Sequence, residues 1–207
     1  MDTGASKDNF TIKVYCDPGI TDKERDMILC AIKESAILYG CCFRLIQEPL
    51  DLREEIAPNE KDQIDSTKIM DLLQSRSGAK DHKGAVVFFT SKDLYLKDTW
   101  CFGAARVGGG VSVQSVYRYQ KLSDDDKQAA ITRTLRHEIG HIHLLASDLK
   151  RANTRRKFGI HCTSKGCTMR QSGTLKELLL HAKEEDPGDC LCDLCKRDLE
   201  RFKERYY

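Results

Sequence analysis

The spacing of apolar residues near the N-terminus predicts a strand, a helix and a second strand. Phe10–Cys16 alternates apolar and polar positions, as a half-buried strand does. Thr21 and Glu24 have the spacing of a capping box, and the apolar positions after them recur at helical intervals as far as Tyr39. A second apolar segment, Cys41–Ile46, predicts the next strand. Because such a unit forms a right-handed crossover, we expect the two strands to lie parallel.

The middle of the chain adds the rest of a sheet. The continuous apolar run Gly84–Phe89 is typical of a central strand that is buried on both faces. Ser66–Gln74 predicts a short helix before it, and two further strands, Cys101–Val107 and Val111–Tyr117, are joined by three consecutive glycines. The whole pattern predicts an α/β (α+β) fold, with a mixed twisted sheet and flanking helices.

A long helix is predicted to follow the sheet. Ser123, with Asp126 three residues later, indicates a helix start, and no proline interrupts the apolar spacing that follows. Within this helix lies the motif H-E-x-x-H, formed by His137, Glu138 and His141. Residues four apart lie on one face of a helix, so the two histidines can hold one zinc ion while Glu138 acts on a zinc-activated water. The alternative is a surface helix that carries these residues by chance.

Downstream of the helix, four cysteines have the pair spacing of a closed structural zinc site with four thiolate ligands. They are Cys162, Cys167, Cys192 and Cys195. Cys190 lies two residues before Cys192 and is an alternative to it. The chain has ten cysteines, and in a reducing compartment grouped cysteines are metal ligands more often than disulfides. The cysteines earlier in the chain are expected to be small core residues: Cys16, Cys30, Cys41, Cys42 and Cys101.

Length, charge and hydropathy narrow the class of protein. A chain of 207 residues suits one domain. The formal net charge of +2 does not indicate a nucleic-acid binder. Met1–Asn9 is polar and lacks the apolar core of a secretory signal, and no apolar run approaches membrane-spanning length. We therefore expect a cytoplasmic protein without a membrane partner, in which Met1–Asn9 is flexible.

The order of these motifs resembles the archaemetzincin family of zinc metallopeptidases. Apart from one insertion, the chain follows the family signature H-E-x-x-H-x-x-G-x-x-H-C-x4-C-x-M, closed by C-x2-C. The resemblance implies a metzincin-like fold with an active-site helix and a small zinc-stapled C-terminal subdomain. It also implies that His161 is the third catalytic ligand and that Met169 forms a Met-turn, an apolar floor beneath the metal.

The resemblance further implies two zinc ions, one catalytic and one structural. The catalytic ligands would be His137, His141 and His161. In the family's architecture the strand before the last lies antiparallel at the sheet edge, above the cleft, where it can pair with an extended peptide. The candidates for that strand are Phe102, Gly103, Ala104 and Ala105; an ordinary inner hairpin is the alternative. We expect residues 10–207 to form one catalytic domain, with the sheet and zinc helix in 10–146 and a lower subdomain in 147–207.

The chain departs from the signature by an insertion. Nineteen residues, Ile142–Ile160, separate the second and third histidines, where the signature has five, and Leu144 stands at the position of the family glycine. His143 is nearer in sequence than His161 but lies on the wrong side of the helix to be a ligand. We expect the insertion to leave and re-enter the site and to form a lip or lid over the cleft. Its basic run, Lys150–Lys157, is either a solvated loop or a binding site for an acidic partner.

Two functions from different classes follow. The first is a zinc-dependent metallopeptidase, either an endopeptidase or an aminopeptidase, that cleaves a peptide or protein with Glu138 as general base and then acid. The second is a non-catalytic zinc-binding module, in which the insertion displaces His161 and the four-cysteine site with its basic region binds a partner or nucleic acid. The intact Glu138 favours the first function, and the length of the insertion favours the second. We expect the peptidase.

Overall fold

The computed structural model describes residues 10–52, 55–77, 84–156 and 159–207. The segment predicted to be flexible, Met1–Asn9, lies outside the described residues. The helices are α1 (Asp22–Tyr39), α2 (Ser66–Ser77), α3 (Asp124–Ile142), α4 (Leu175–Glu184) and α5 (Asp193–Tyr206). The strands are β1 (Thr11–Cys16), β2 (Cys42–Leu45), β3 (Gln63–Asp65), β4 (Gly84–Thr90), β5 (Asp93–Leu96), β6 (Thr99–Cys101), β7 (Gly103–Ala105), β8 (Val111–Ser115), β9 (Thr154–Arg156) and β10 (Ile160–Cys162). Within the described ranges, no helix is both long and apolar enough to cross a lipid bilayer.

A five-stranded mixed sheet forms the middle of the molecule, in the order β2-β1-β4-β8-β7. β1 lies parallel to β2 and to β4, and β4 lies parallel to β8. β7 lies antiparallel to β8 at the edge of the sheet. The predicted parallel pair, the predicted central strand and the mixed α/β fold are therefore confirmed.

The central strand β4 separates two hydrophobic clusters. Ala85, Val87 and Phe89 belong to the cluster that contains α1 and α3, whereas Val86 and Phe88 belong to the cluster with α2. Neighbouring side chains of a strand point to opposite faces, so a strand with helices on both sides is apolar at every position. The first cluster also includes side chains of α5, so the C-terminal segment packs on the same core as the sheet.

The strand predicted for Cys101–Val107 is divided in the structure. Cys101 ends β6, which belongs to a separate three-stranded sheet of order β3-β5-β6, and only Gly103–Ala105 joins the large sheet. Strands of three or four residues carry too few positions to reveal a period, so the sequence pattern does not predict β3, β5 or β6. β8 ends at Ser115, two residues before its predicted end, and α2 continues to Ser77, three residues past its predicted end.

Two of the five cysteines predicted to be core residues are exposed. Cys16 and Cys41 are buried and Cys101 is half-buried, but Cys30 and Cys42 face solvent. Cys30 lies on the outer face of the amphipathic helix α1, and Cys42 lies on the edge strand β2, where exposed and half-buried positions alternate. The prediction is therefore wrong for Cys30 and Cys42, because residue type alone does not identify the outer face of an element.

Helix α3 is buried along most of its length. The Ser123 side chain accepts a hydrogen bond from Asp126 N at 3.3 Å, and three aspartates in the first turn suit the positive end of the helix dipole. From Ala130 to the end of the helix, nearly every residue is buried. The Tyr39 hydroxyl of α1 donates to Arg136 O at 2.5 Å and so fixes the two helices against each other.

Helix α3 ends in a left-handed turn that leads into the insertion. Leu145 N donates to Gly140 O at 2.9 Å and Leu144 N donates to His141 O at 3.1 Å, which is the pattern of a Schellman motif. Leu144 occupies the left-handed position of this motif, with φ of 61°, where glycine is the usual residue. The insertion therefore does not lengthen the helix. It returns as β9, which pairs antiparallel with β10.

Gly140 is required by close packing and not by its backbone conformation. A Cβ built on Gly140 would overlap Met169 Sδ and would lie 3.2 Å from Tyr39 Oη. Both of these neighbours are fully buried. The glycine in the middle of the motif H-E-x-x-H thus lets a methionine and a tyrosine from other segments reach the helix backbone.

Replacement of this glycine is expected to reverse the usual effect of alanine in a helix. Alanine normally stabilises a helix interior by about 1 kcal/mol relative to glycine. Gly140→Ala should instead lower the free energy of unfolding by about 1–3 kcal/mol, because the packed core cannot accept the methyl group without shifts. Denaturant unfolding measures this, with Gly188→Ala as the control, since a Cβ there lies 3.5 Å from Asp186 Oδ1, an ordinary contact. A Gly140→Ala protein more stable than the parent would contradict the packing argument.

Candidate metal centres and cleft

Three imidazoles converge at the C-terminal half of α3. His141 Nε2 lies 3.2 Å from His137 Nε2 and 3.3 Å from His161 Nε2. His137 and His141 come from successive turns of α3, and His161 comes from β10. Zinc binds imidazole nitrogen at about 2.0–2.1 Å, so a tetrahedral site requires nitrogens roughly 3.3–3.4 Å apart. The two separations from His141 therefore match those that one zinc ion requires, and the ligand atoms of all three histidines lie within 4.8 Å of one another.

The protonation of these imidazoles also suits a metal. Burial and the neighbouring imidazoles hold the pKa of His137 well below its ordinary value. Burial, followed by His161, lowers the pKa of His141 to about 3. His137 Nδ1 lies 2.8 Å from Thr168 O, so its proton belongs on Nδ1 and Nε2 is free of one. Neutral imidazoles with their lone pairs turned toward one point are the form that binds a cation.

Glu138 lies beside this set with only 6 % of its surface exposed. A Cβ built on Gly103 of β7 would lie 3.1 Å from Glu138 Oε1, so the carboxyl group packs directly against the edge strand. Burial raises the pKa of Glu138 to about 8. A cation held by the adjacent imidazoles would lower that pKa again, because an opposite charge favours the carboxylate. The position suits a group that exchanges a proton.

Four cysteine sulfurs form a second converging set. Its members are Cys162, Cys167, Cys192 and Cys195. Cys162 Sγ lies 3.7 Å from Cys192 Sγ, and Cys167 Sγ lies 3.7 Å from Cys195 Sγ. Zinc–sulfur bonds of about 2.3 Å in a tetrahedron require sulfurs roughly 3.7–3.8 Å apart. Cys190 is buried outside this set, and its carbonyl accepts a hydrogen bond from Thr168 N at 2.7 Å.

A single short segment joins the two sets. His161 and Cys162 are consecutive in β10, and Cys162 N donates to Met169 O at 3.0 Å. Met169 is fully buried and packs against α3 at Gly140, one residue before His141. The sequence-predicted ligands and Met169 are thus brought together, whereas His143 is not part of the set. His143 Nδ1 bonds with Ile139 O at 2.9 Å and its ring stacks on Tyr39.

A cleft of about 520 Å³ opens beside Glu138. One side is formed by β7 and the other by residues 170–174, which follow Met169. Apolar side chains contribute to its lining: Met70, Leu96 and Trp100. Trp100 is supported by the Arg118 guanidinium, whose Cζ lies 4.0 Å from the ring centre. An open, partly apolar groove next to a buried carboxyl group is the usual form of a ligand site.

Two cleft residues on α3 are not predicted from the sequence motifs. Arg133 and Thr134 line the cleft, and each lies four residues before a member of the motif H-E-x-x-H. Helical spacing is therefore the signal that identifies them. Arg133 forms a buried ion pair with Glu185 and donates to Arg170 O at 2.6 Å. The arginine thus ties α3 to the far side of the cleft.

The edge strand β7 presents backbone groups to the cleft that have no partner among the described residues. Phe102 O accepts from Ser115 N at 2.8 Å, and Arg106 N donates to Val111 O at 3.0 Å. Backbone groups alternate in direction along a strand, so the N–H and C=O groups of Gly103 and Ala105 point away from β8. The predicted candidates Phe102–Ala105 all line the cleft. The antiparallel edge geometry expected of this strand is present, and the inner hairpin is not.

Only the end of the described part of the insertion reaches the cleft. None of its described residues between 142 and 156 lines the cleft, whereas Gly159 and Ile160 do. Arg155 and Arg156 are exposed on β9, as expected for a solvated basic segment. Arg151 instead points toward the cysteine set and pairs with Asp198 of α5. The described residues 142–156 therefore form no lid, because the chain folds back along β10, and the described end of the insertion, Gly159 and Ile160, borders the cleft.

Comparison with known sequences identifies distant relatives. No family model matches the chain. An archaemetzincin of Haloarcula marismortui is 28% identical over 173 residues, which cover 78% of this chain and 85% of the relative. An archaemetzincin of Haloquadratum walsbyi is also 28% identical, over 176 residues, which cover 79% of this chain and 87% of the relative.

Solved structures share the fold. The archaemetzincin of Methanopyrus kandleri superposes with a TM-score of 0.76 at 21% identity, covering 98% of this chain and 99% of that chain. The archaemetzincin of Archaeoglobus fulgidus, complexed with malonate, gives a TM-score of 0.68 at 20% identity, covering 91% of this chain and 99% of that chain. A zinc-dependent peptidase of Methanocorpusculum labreanum gives 0.60 at 17% identity with the same coverage. The chain is therefore archaemetzincin-like in sequence and in fold, which confirms the resemblance that its motifs predicted.

Proposed function

We propose that this chain is a zinc-dependent metallopeptidase that hydrolyses peptide bonds in a peptide or protein substrate. The similarity to archaemetzincins supports this class of enzyme. One observation carries the proposal: the buried carboxyl group of Glu138 lies beside three converging imidazoles and lines a cleft. Residues 10–207 act as one catalytic domain, in which 147–207 forms the lower part on the same hydrophobic core.

Two zinc ions are part of the proposal. His137, His141 and His161 would hold the catalytic ion, and the four cysteines would hold the structural ion. The measured nitrogen and sulfur separations support both assignments. When bound at the imidazoles, zinc lowers the pKa of a water molecule and polarises the scissile carbonyl. Met169 serves as the apolar floor under the imidazoles.

Glu138 performs the proton transfers. Its carboxylate accepts a proton from the attacking water and then delivers it to the leaving amine, as a general base and then a general acid. The enclosure that raises its pKa also keeps bulk water from competing for the proton. Its contact with Gly103 holds the carboxyl group at the foot of the edge strand.

The edge strand β7 aligns the substrate. An extended peptide can add to a free sheet edge through main-chain hydrogen bonds. The N–H and C=O groups of Gly103 and Ala105 are available for this pairing, since those of their neighbours are bonded to β8. A peptide bound in this way runs past Glu138, which brings a scissile bond near the reacting groups.

The non-catalytic alternative depends on the insertion moving His161 away from the other histidines. Because His161 Nε2 lies 3.3 Å from His141 Nε2, that premise has no support. Endopeptidase and aminopeptidase activity both remain consistent with the cleft. The identity of the cleaved peptide bond is a matter for substrate profiling.

Glu138→Gln tests the catalytic step. We expect peptide cleavage to fall by about 10²–10⁴-fold, because the amide cannot exchange the proton. The zinc content should stay unchanged, since Glu138 is not a ligand. A peptide hydrolysis assay measures the cleavage rate, and elemental analysis measures the zinc content. Asp125→Asn, which also replaces a carboxylate by an amide but at the start of α3, is the control. Loss of zinc from Glu138→Gln would show that its role is misassigned.

Metal analysis of three variants tests the two zinc sites. The parent protein should carry two zinc ions per chain, and His161→Ala should carry one and cleave no peptide. Cys167→Ser should lose the other ion together with folding stability, because a structural metal contributes directly to folding. His181→Ala is the control, since this histidine bonds with Ser172 and belongs to neither set. Full zinc content and activity in His161→Ala would require another third ligand.

Proline substitutions test the edge strand. Ala105→Pro removes an N–H group that faces the cleft and spares the bonds to β8, so zinc content and stability should hold. The loss of about one hydrogen bond to substrate should raise KM roughly 5-fold. Arg106→Pro is the matched control, because it removes the N–H bonded to Val111 O and should lower the melting temperature. An unchanged KM in Ala105→Pro would argue against pairing at β7.

A further inference from the structure

We infer that Arg151 and Asn153, both in the insertion, are positioning residues for the four-cysteine centre. Their side chains donate N–H groups to three of its four sulfurs. The insertion would then serve as a strap over the structural zinc, in a role that none of the shared motifs describes. The inference rests on the proposed structural zinc ion, and the experiment below separates the two.

The Asn153 amide lies between two sulfurs of the set. Asn153 Nδ2 is 3.3 Å from Cys162 Sγ and 3.4 Å from Cys192 Sγ. Cys162 Sγ also accepts from Ser164 N at 3.4 Å. Zinc with four thiolates carries a net charge of −2, so N–H donors to sulfur stabilise the thiolate ligands.

The orientation of the Asn153 amide is fixed by its other end. Arg151 Nε and Nη2 donate to Asn153 Oδ1 at 3.2 and 3.1 Å. A guanidinium group has only donors, so the amide oxygen must face it and the NH₂ group must face the sulfurs. If the amide were flipped, its NH₂ group would face the N–H groups of Arg151, and two sets of donors would oppose each other. Arg151 therefore acts on Cys162 and Cys192 through Asn153.

Arg151 itself reaches the third sulfur. Its Nη2 lies 3.4 Å from Cys195 Sγ, and its Nη1 forms an ion pair with Asp198 of α5. Asp198 Oδ2 also accepts from Ala146 N at 3.0 Å, at the beginning of the insertion. These contacts bind both ends of the segment 146–151 to the helix that carries Cys195. A planar, five-donor guanidinium is suited to hold an amide, a carboxylate and a sulfur together.

The strap continues into the strand that carries His161. Thr163 N donates to Asn153 O at 2.8 Å, and β9 pairs with β10 so that Arg155 lies opposite His161. The insertion thus contacts the cysteine set with side chains and supports the third histidine with its backbone. This arrangement explains how His161 can lie beside the other two histidines although a long insertion precedes it.

Cobalt(II) substitution isolates the cysteine centre from the histidine centre. Only a thiolate site gives thiolate-to-cobalt charge-transfer absorption, so this band reports the four cysteines alone. The full chain is loaded with cobalt(II), and a chelator of known cobalt affinity is then titrated in until the band is lost, which gives the affinity of the thiolate site for cobalt. The first variant, Asn153→Asp, keeps the shape of the side chain but replaces the donor by an acceptor. The second, Arg151→Lys, keeps the positive charge but loses the planar set of guanidinium N–H donors.

Both variants should weaken cobalt binding at the thiolate site, by about 10–100-fold for Asn153→Asp, the usual effect of removing a partner of a metal ligand. Arg155→Gln is the control, because it removes an exposed positive charge from the same hairpin, and it should match the parent. Should Asn153→Asp not fold, Asn153→Ala removes the donor without adding a charge and is expected to lose affinity too.

The outcomes separate the two proposals. A parent protein without the thiolate band would refute the structural zinc and the strap together. A parent with the band, and with Asn153 and Arg151 variants that keep the parent affinity, would overturn the strap alone. An equal loss in Arg155→Gln would assign the effect to general charge and would also overturn the specific role of these two side chains.

Discussion

The structure depends on one constraint, the approach of three imidazole nitrogens to 3.2 and 3.3 Å inside the protein. Three buried imidazole nitrogens this close cannot all carry protons, and the arrangement is one that a shared cation would stabilise. Two of the nitrogens come from a rigid helix, whereas the third comes from a strand that must return to it. Three features hold this strand against the helix: the cysteine set next to it, the methionine under the helix and the core shared with α5.

The motifs allowed much of the site to be predicted because metal ligands need particular residue types at particular spacings. His137, His141 and the cysteine pairs obey local periods, so their convergence follows from helix geometry and from thiolate chemistry. The parallel pair and the central strand follow from the apolar pattern. The small sheet β3-β5-β6 escapes prediction, since its strands of three or four residues are too short to show a period. Cys30 and Cys42 were assigned by residue type, which carries no information on which face is outward.

The insertion shows why a long addition next to a metal ligand does not destroy the site. The entropy of closing a loop grows slowly with its length, so added residues cost little if both ends are fixed. One end is fixed by the left-handed turn at Leu144 and the other by the pairing of β9 with β10. None of the described residues 142–156 lines the cleft, so this part of the insertion can vary without obstructing the groove. The sequence alone does not reveal this course, since it depends on the direction in which the helix ends.

The turn at Leu144 also has a consequence for the width of the groove. Gly108, in the loop between β7 and β8, donates from its N–H to His141 O at 3.2 Å, and a Cβ on Gly108 would lie 2.8 Å from Leu144 Cδ2. The loop thus rests directly on the helix end, backbone against backbone. This contact therefore fixes how far β7 lies from the imidazoles, and with it the depth at which a bound main chain would lie above them. The opposite side of the groove, residues 170–174, is also joined to the helix through the bond from Arg133 to Arg170 O, so the helix sets the position of both sides of the groove.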